Sequence, residues 1–186
     1  MSISEKVDTF LEKTYPGSSS VIYRDLSLNF KKLMEEGPLE PTERLQNLLA
    51  AAVALADEDL MKFAASTLKE LGLPEDALRE TAETAGIMGM NTTYYKFRTY
   101  LPEERKEHYQ RAGLRMTSLA KPLLGKKTFE CLAMTVSVVN GCPMCIASHE
   151  KALGDHGVTT DQTHELVRIA AVAKGLNSFK KAQSIL

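Results

Sequence analysis

The chain has 186 residues, of which 44% are hydrophobic and 25% charged, and its formal net charge is −1. This size and balance are typical of one globular domain, and the low net charge gives no reason to expect nucleic acid or an anionic membrane as a partner. The first residues, Met1–Lys6, contain no apolar stretch of the signal-peptide type. No apolar run approaches the ~20 residues that span a bilayer. We therefore expect a cytoplasmic protein.

The pattern of apolar residues predicts an all-α fold. Ala, Leu, Glu, Lys and Met are abundant, runs of β-branched residues are short, and apolar residues recur at helical spacing. In the first half, the first predicted helix ends before Pro16. The next helices are predicted from about Ser20 to Glu36, from Leu45 to Ala56 with Thr42 as N-cap, from Asp57 to Gly72, and from Pro74 to about Met88.

In the middle of the chain, Tyr94–Gly113 is polar and uneven, which predicts short helical pieces or a long connector. Helices are then predicted from about Lys127 to Val139, from Pro143 to about Asp155, from Thr159 or Thr160 to Lys174, and from Asn177 onward.

The two halves of the chain resemble each other at an offset of about 85 residues. Residues 45–91 and 129–177 both show an apolar helix, a break, a second helix, a turn and a third helix. This predicts an internal pseudo-repeat within a single all-helical domain, residues 1–186. At this offset Cys142 corresponds to Asp57, Cys145 to Leu60 and Glu130 to Leu45, so only the second half carries reactive side chains.

Candidate reactive residues concentrate near the C-terminal end of the chain. Cys142 and Cys145 lie three positions apart, a spacing at which a helix can form and break a disulfide with little backbone movement. Pro143 suits the first position of a helix, which places Cys142 at or next to the N-cap and Cys145 in the first turn. Free N–H groups and the helix dipole lower thiol pKa values there. His149, one turn after Cys145, lies on the same face and can exchange a proton with it.

A carboxylate precedes this motif, with eleven residues between Glu130 and Cys142. In one straight helix the two would be about 18 Å apart. The break at Asn140-Gly141 lets the chain reverse instead, so that Glu130 and His149 become neighbours across an antiparallel hairpin. The predicted proton relay therefore runs from Glu130 through His149 and Cys145 to Cys142.

Other functions for the cysteines are less well supported by the sequence. A tetrahedral zinc site needs four ligands, and only His149 and His156 follow the cysteine pair closely, so we expect no metal. A purely structural disulfide is disfavoured in a reducing cytoplasm. The third cysteine, Cys131, faces about 100° away from Glu130 on the same helix and is expected in the core.

Several of these segments resemble the alkyl hydroperoxide reductase D (AhpD) family of the carboxymuconolactone decarboxylase-like superfamily. They are Gly86–Asn91, Gly113–Met116, and Glu130 together with Val138–Glu150. The resemblance extends from about Leu45 to the C-terminal end. The Glu-x11-Cys-x2-Cys-x3-His spacing is specific, whereas a bare Cys-x-x-Cys would not be.

The resemblance implies a homotrimeric, all-helical thiol oxidoreductase with alkyl hydroperoxidase activity. It also implies a peroxiredoxin partner, AhpC, which receives electrons from dihydrolipoamide on a lipoylated 2-oxo-acid dehydrogenase component, and no bound cofactor. By position, Cys145 would become a sulfenic acid or join the partner in a mixed disulfide. Cys142 would be the proton donor and resolving thiol, and Glu130 and His149 the relay. Met144 stands where the best-known pattern has a histidine, which implies weaker peroxidase activity or a greater dependence on His149.

Two alternatives remain open. A decarboxylase of the parent superfamily would act on lactone acids without redox thiols. A redox adapter would bind a partner through a mixed disulfide without meaningful peroxidase turnover.

Overall fold

A computed structural model describes residues 1–185, which form α-helices and one 3₁₀ turn with no strand in this range, as the sequence predicts. The helices are α1 (Ile3–Thr14), α2 (Val21–Glu35), α3 (Pro41–Leu55), α4 (Glu58–Glu70), α5 (Glu75–Thr99), α6 (Glu103–Lys106), α7 (Thr117–Ala120), α8 (Lys126–Asn140), α9 (Pro143–Asp155) and α10 (Thr160–Gln183), and the 3₁₀ turn is Glu107–Tyr109. None of these helices has both the length and the apolar character that crossing a membrane requires.

The start of α3 differs from the prediction. The helix begins at Pro41 instead of Leu45, because proline suits the first helical position and the Glu43 carboxylate accepts the N–H of Glu40 at 2.9 Å. Thr42 is therefore not the N-cap.

Two predicted helix ends are also wrong, both because a polar residue found a partner within the helical packing. Helix α5 continues past Met88 to Thr99, since buried threonines satisfy their hydroxyls on the helix itself, as Thr92 does on the Met88 carbonyl at 2.7 Å. Helix α10 continues past Lys174 to Gln183, because Asn177 donates to the Leu55 carbonyl of α3 at 3.3 Å instead of capping a new helix.

Helices α3 and α8 lie at the centre of the fold. Helix α3 packs against α4, α5, α8 and α10, and α8 packs against α3, α5, α9 and α10. The two central helices are also joined by a buried hydrogen bond, in which the Thr135 hydroxyl donates to Oδ1 of Asn47 at 2.8 Å. This arrangement places the α3–α4 hairpin and the α8–α9 hairpin in corresponding positions around one core.

The two hairpins have the same local geometry. Helices α3 and α8 each have 15 residues, and α4 and α9 each have 13. Both central helices end on a left-handed residue, Ala56 (φ 54°, ψ 39°) or Gly141 (φ 63°, ψ 50°). The pseudo-repeat as a description of domain organisation stays a prediction.

The outer faces of the two hairpins are covered by different segments. Helices α1 and α2 cover the first, with an aromatic cluster that joins Phe10 to Phe30 and Phe63. The segment 100–125 covers the outer face of the second hairpin, and hydrogen bonds attach this segment to α5. The Glu80 carboxylate of α5 accepts the backbone N–H groups of Leu123 and Leu124 at 2.8 and 2.6 Å. This anchoring brings the short helix α7 over the α5–α9 side of the fold.

Candidate redox site

The two cysteines of the motif lie at the start of α9 and are joined by a disulfide, with their Cα atoms 5.3 Å apart. The left-handed Gly141 ends α8 and Pro143 begins α9, so Cys142 falls at the N-cap, as predicted. Its sulfur accepts the backbone N–H of Cys145 at 3.3 Å. Cys142 is fully buried and Cys145 is 6% exposed. The two sulfurs therefore differ in access from outside.

Glu130 and His149 meet across the α8–α9 hairpin, as antiparallel folding predicted. Nδ1 of His149 lies 2.6 Å from Oε2 of Glu130, and the two side chains are 14% and 16% exposed. With the carboxylate ionised, Nδ1 carries the proton and donates it, which leaves Nε2 as the ring nitrogen for exchange with a ligand. The part that each residue plays in chemistry stays a prediction.

A cavity of about 370 Å³ opens beside Cys145. Cys142 is not among its lining residues. The walls come from α5, α7 with the residue before it, and α9, and they are formed by Met88, Asn91, Tyr95, Met116, Leu119, Met144, Cys145, Ser148 and His149. A small molecule in this cavity therefore meets one redox sulfur and the imidazole within mostly apolar walls.

The third cysteine has a different environment. Cys131 is 5% exposed and lies in the core, which confirms its predicted position. Burial, together with the nearby charge of Glu43, raises the pKa of the Cys131 thiol to about 12. It stays protonated at neutral pH and is a poor nucleophile there.

Sequence reasoning missed the wall that α5 contributes, which holds Met88, Asn91 and Tyr95. These residues are spaced i, i+3 and i+7 and therefore share one helix face. The expected end of the helix at Met88 removed Asn91 and Tyr95 from any such face. The available signal was the absence of proline between Met88 and Thr99, which leaves the helix free to continue.

Nothing in residues 1–185 resembles a metal centre. No group of three or more His, Cys, Asp or Glu side chains in this range is arranged to hold an ion. The ionisable side chains that line the cavity are those of Tyr95, Cys145 and His149. The Glu130 carboxylate contacts the His149 imidazole at 2.6 Å.

Comparison with known proteins gives a consistent result. Residues 108–186, which include the cysteine pair, match the carboxymuconolactone decarboxylase family model. The chain is 39% identical over 152 residues to alkyl hydroperoxide reductase AhpD of Anaeromyxobacter dehalogenans (strain 2CP-C), covering 80% of this chain and 79% of that protein. It is 36% identical to AhpD of Maricaulis maris (strain MCS10), covering 87% and 92%. It is 32% identical to AhpD of Coxiella burnetii (strain Dugway 5J108-111), covering 88% and 93%.

The fold and the arrangement of side chains define an all-helical protein with a disulfide-bonded cysteine pair at a helix N-terminus. The relatives identify the family within this class, because each of them is similar to this chain over more than two thirds of both sequences. The chain belongs to the AhpD family of carboxymuconolactone decarboxylase-like proteins.

Proposed function

We propose that this protein is an alkyl hydroperoxide reductase-type thiol oxidoreductase that cycles between the Cys142–Cys145 dithiol and disulfide. The observation that carries the proposal is the meeting of three elements at one cavity. These are a cysteine pair at the N-terminus of α9, the 2.6 Å Glu130–His149 pair, and apolar walls around Cys145. The names of the relatives support the same kind of activity.

In the oxidative half of the cycle, the Cys145 thiolate attacks the distal oxygen of a hydroperoxide, ROOH. Nε2 of His149 takes the proton of the Cys145 thiol, which gives the attacking thiolate. An S–O bond forms as the O–O bond breaks, and the leaving alkoxide takes this proton from His149 and departs as ROH. Cys145 is now a sulfenic acid. The Cys142 thiol attacks it, the S–S bond forms, and the sulfenic oxygen leaves as water with the thiol proton.

In the reductive half, an external dithiol must attack the sulfur that it can reach. Cys142 is fully buried and Cys145 lines the cavity, so attack at Cys145 displaces the Cys142 thiolate. The second thiol of the reductant then resolves the mixed disulfide and restores both cysteines. Dihydrolipoamide on a 2-oxo-acid dehydrogenase component is our proposed reductant, because its two thiols complete both exchanges within one molecule.

The partner that we propose to accept electrons from the restored dithiol is the peroxiredoxin AhpC. Its disulfide would be attacked by Cys145, giving the mixed disulfide that Cys142 resolves. Trimeric assembly and a cytoplasmic location stay predictions from the family resemblance and from composition.

Met144 bears on the strength of the peroxidase step. It is 39% exposed and lines the cavity, and a thioether cannot transfer protons. His149 is the one imidazole among the residues that line the cavity. We propose that direct hydroperoxide turnover is for this reason slower than reduction of AhpC.

The proposal is tested by measuring hydroperoxide consumption by the purified protein with dihydrolipoamide as the only reductant. We expect turnover in the wild type, loss of turnover of about 10³-fold or more in Cys145→Ser, and full retention in the control Cys131→Ser. No turnover with peroxide, but reduction of AhpC, would favour the redox adapter. Full activity of Cys145→Ser would exclude Cys145 as the reacting thiol. Absence of both hydroperoxide turnover and AhpC reduction in the wild type would favour a decarboxylase, as the name of the matched family allows.

A further inference from the structure

One polar side chain in the cavity wall has no role in the cycle described above. Asn91 lies on α5, is 6% exposed, and its Oδ1 atom is buried without a hydrogen-bond partner in the described part of the chain. A buried acceptor without a donor is unfavourable by an amount comparable to a lost hydrogen bond. Such an atom in a ligand cavity is a candidate for binding a ligand.

Asn91 lies on the face of α5 that lines the cavity beside Cys145. Met88 and Tyr95 lie on the same face of α5 and line the same cavity, and α5 packs directly against α9, which carries Cys145 and His149. Asn91 is therefore a polar residue in a largely apolar wall, at the place where a ligand would reach the Cys145 sulfur.

The corresponding position in the other half of the chain shows what packing alone would place here. Buried residues of α5 and α10 follow each other at an offset of 85, so Asn91 corresponds to Leu176, which is fully buried in the core. The sequence motif that ends in Asn91 and Asn177 is one residue out of this register. In the structure it is Thr92 that corresponds to Asn177, and both bond to the end of a central helix.

We propose that Asn91 is a substrate-binding residue, whose side-chain amide accepts a hydrogen bond from the O–H of the hydroperoxide that reacts at Cys145. This inference rests on the proposed function. Hydroperoxides carry a strong O–H donor, whereas the S–H groups of a dithiol are weak donors. The oxygen that bears this hydrogen is the one transferred to sulfur, so the same bond to Asn91 persists in the sulfenic acid.

This assignment predicts that Asn91 affects one half of the cycle and not the other. In Asn91→Leu, which copies Leu176, we expect oxidation of the reduced protein by tert-butyl hydroperoxide to be about 10-fold slower. Reduction of the disulfide by dihydrolipoamide should keep its wild-type rate. Asn91→Ala serves as a second variant and should show the same split.

The experiment measures the two rates separately. Protein is reduced, freed of reductant and mixed with tert-butyl hydroperoxide, and the loss of titratable thiols is followed in time. The disulfide form is then mixed with dihydrolipoamide and the return of thiols is followed. Ser137→Ala is the matched control, because Oγ of Ser137 is also buried and unpartnered but does not line the cavity. It should leave both rates unchanged.

The possible results separate the two proposals. Wild-type oxidation rates in both Asn91 variants, or an equal fall in both half-reactions, would overturn the role of Asn91 and leave the proposed function intact. Absence of hydroperoxide oxidation in the wild type itself would overturn both.

Discussion

The α3–α4 and α8–α9 junctions have the same backbone conformation but carry side chains of different chemistry. At the first, Asp57 caps α4 by accepting the N–H of Leu60 at 3.3 Å, and its carboxylate pairs with Lys180 of α10, also at 3.3 Å. At the second, Cys142 caps α9 by accepting the N–H of Cys145. The N-cap position thus holds a carboxyl group in one half and a cysteine sulfur in the other.

The side chains that surround the two junctions also differ. At the first, Leu60 and Ala64 are fully buried, and Lys180 reaches both Asp57 and Asp59 across the end of the hairpin. At the second, a cavity opens beside Cys145. The corresponding residues, first junction and then second, are Leu45 and Glu130, Leu60 and Cys145, Phe63 and Ser148, Ala64 and His149, Leu176 and Asn91, and Lys180 and Tyr95. In the first five of these pairs, an apolar residue at the first junction corresponds to a polar residue or a cysteine at the second.

The largest effect should come from making the second junction resemble the first. Glu130→Leu removes the partner of His149 and supplies the apolar residue found at position 45. We expect turnover to fall about 100-fold, because the imidazole loses its orienting carboxylate. The free energy of unfolding should stay the same or rise, because a buried ionisable group is replaced by an apolar one.

Glu130→Gln is the control for this prediction, since it keeps the size of the side chain but loses the charge. It should lower turnover with little change in stability. Steady-state kinetics and urea denaturation of the two variants test the comparison, and unchanged kinetics in both would remove Glu130 from the relay.

A smaller effect, on stability alone, is expected at the first junction. Asp57→Ala removes an N-cap acceptor and the partner of Lys180, and should lower the free energy of unfolding by about 1–2 kcal/mol. Turnover should not change, because the Asp57 junction does not line the cavity. Asp57→Asn, which keeps the cap, should lose less. A fall in turnover without a fall in the denaturation midpoint would contradict the separation of the two junctions.

The smallest effect concerns the pH dependence of the same ion pair. Burial lowers the pKa of Lys180, but hydrogen bonds to Asp59 and Asp57 raise it by more, so the pKa lies above its usual value. Its contribution to stability is therefore complete below the unfolded-state value of about 10.4 and is lost as the pH rises through the folded-state pKa.

This sign is checked by comparing denaturation midpoints of the wild type and Lys180→Met across pH. The wild type should be the more stable at about pH 8, and the difference should shrink as the pH rises above the unfolded-state value of about 10.4 and through the folded-state pKa. A difference that grows with pH would show that the pair does not stabilise the folded state.

The sequence predicted the parts of the fold that depend on local signals. Helix α9 was predicted with its observed bounds, because Pro143 and the preceding glycine mark its start without help from tertiary contacts. The unbroken lengths of α5 and α10 were not predictable in this way. Asn177 stays helical only because the Leu55 carbonyl is within reach in the folded chain.

The candidate site likewise has a part that local sequence signals predict and a part that depends on tertiary packing. Glu130, the cysteines and His149 follow from spacing within one hairpin, so their proximity could be predicted from a single turn in the chain. Asn91 comes from a helix about 50 residues earlier, and its place beside Cys145 depends on the packing of α5 against α9. No pattern local to α5 contains that information.

The position of the Cys142 sulfur at the head of α9 connects oxidation state to helix energetics. A disulfide sulfur is a weak acceptor, whereas a thiolate is an anion placed at the positive end of a helix. In the cycle that we propose, opening of the Cys142–Cys145 bond to a Cys142 thiolate would therefore strengthen the cap that Cys142 provides. By a thermodynamic cycle, the same energy would favour the reduced form and move the reduction potential of the pair upward. The first turn of α9 would then help to set that potential as well as hold the two cysteines in place.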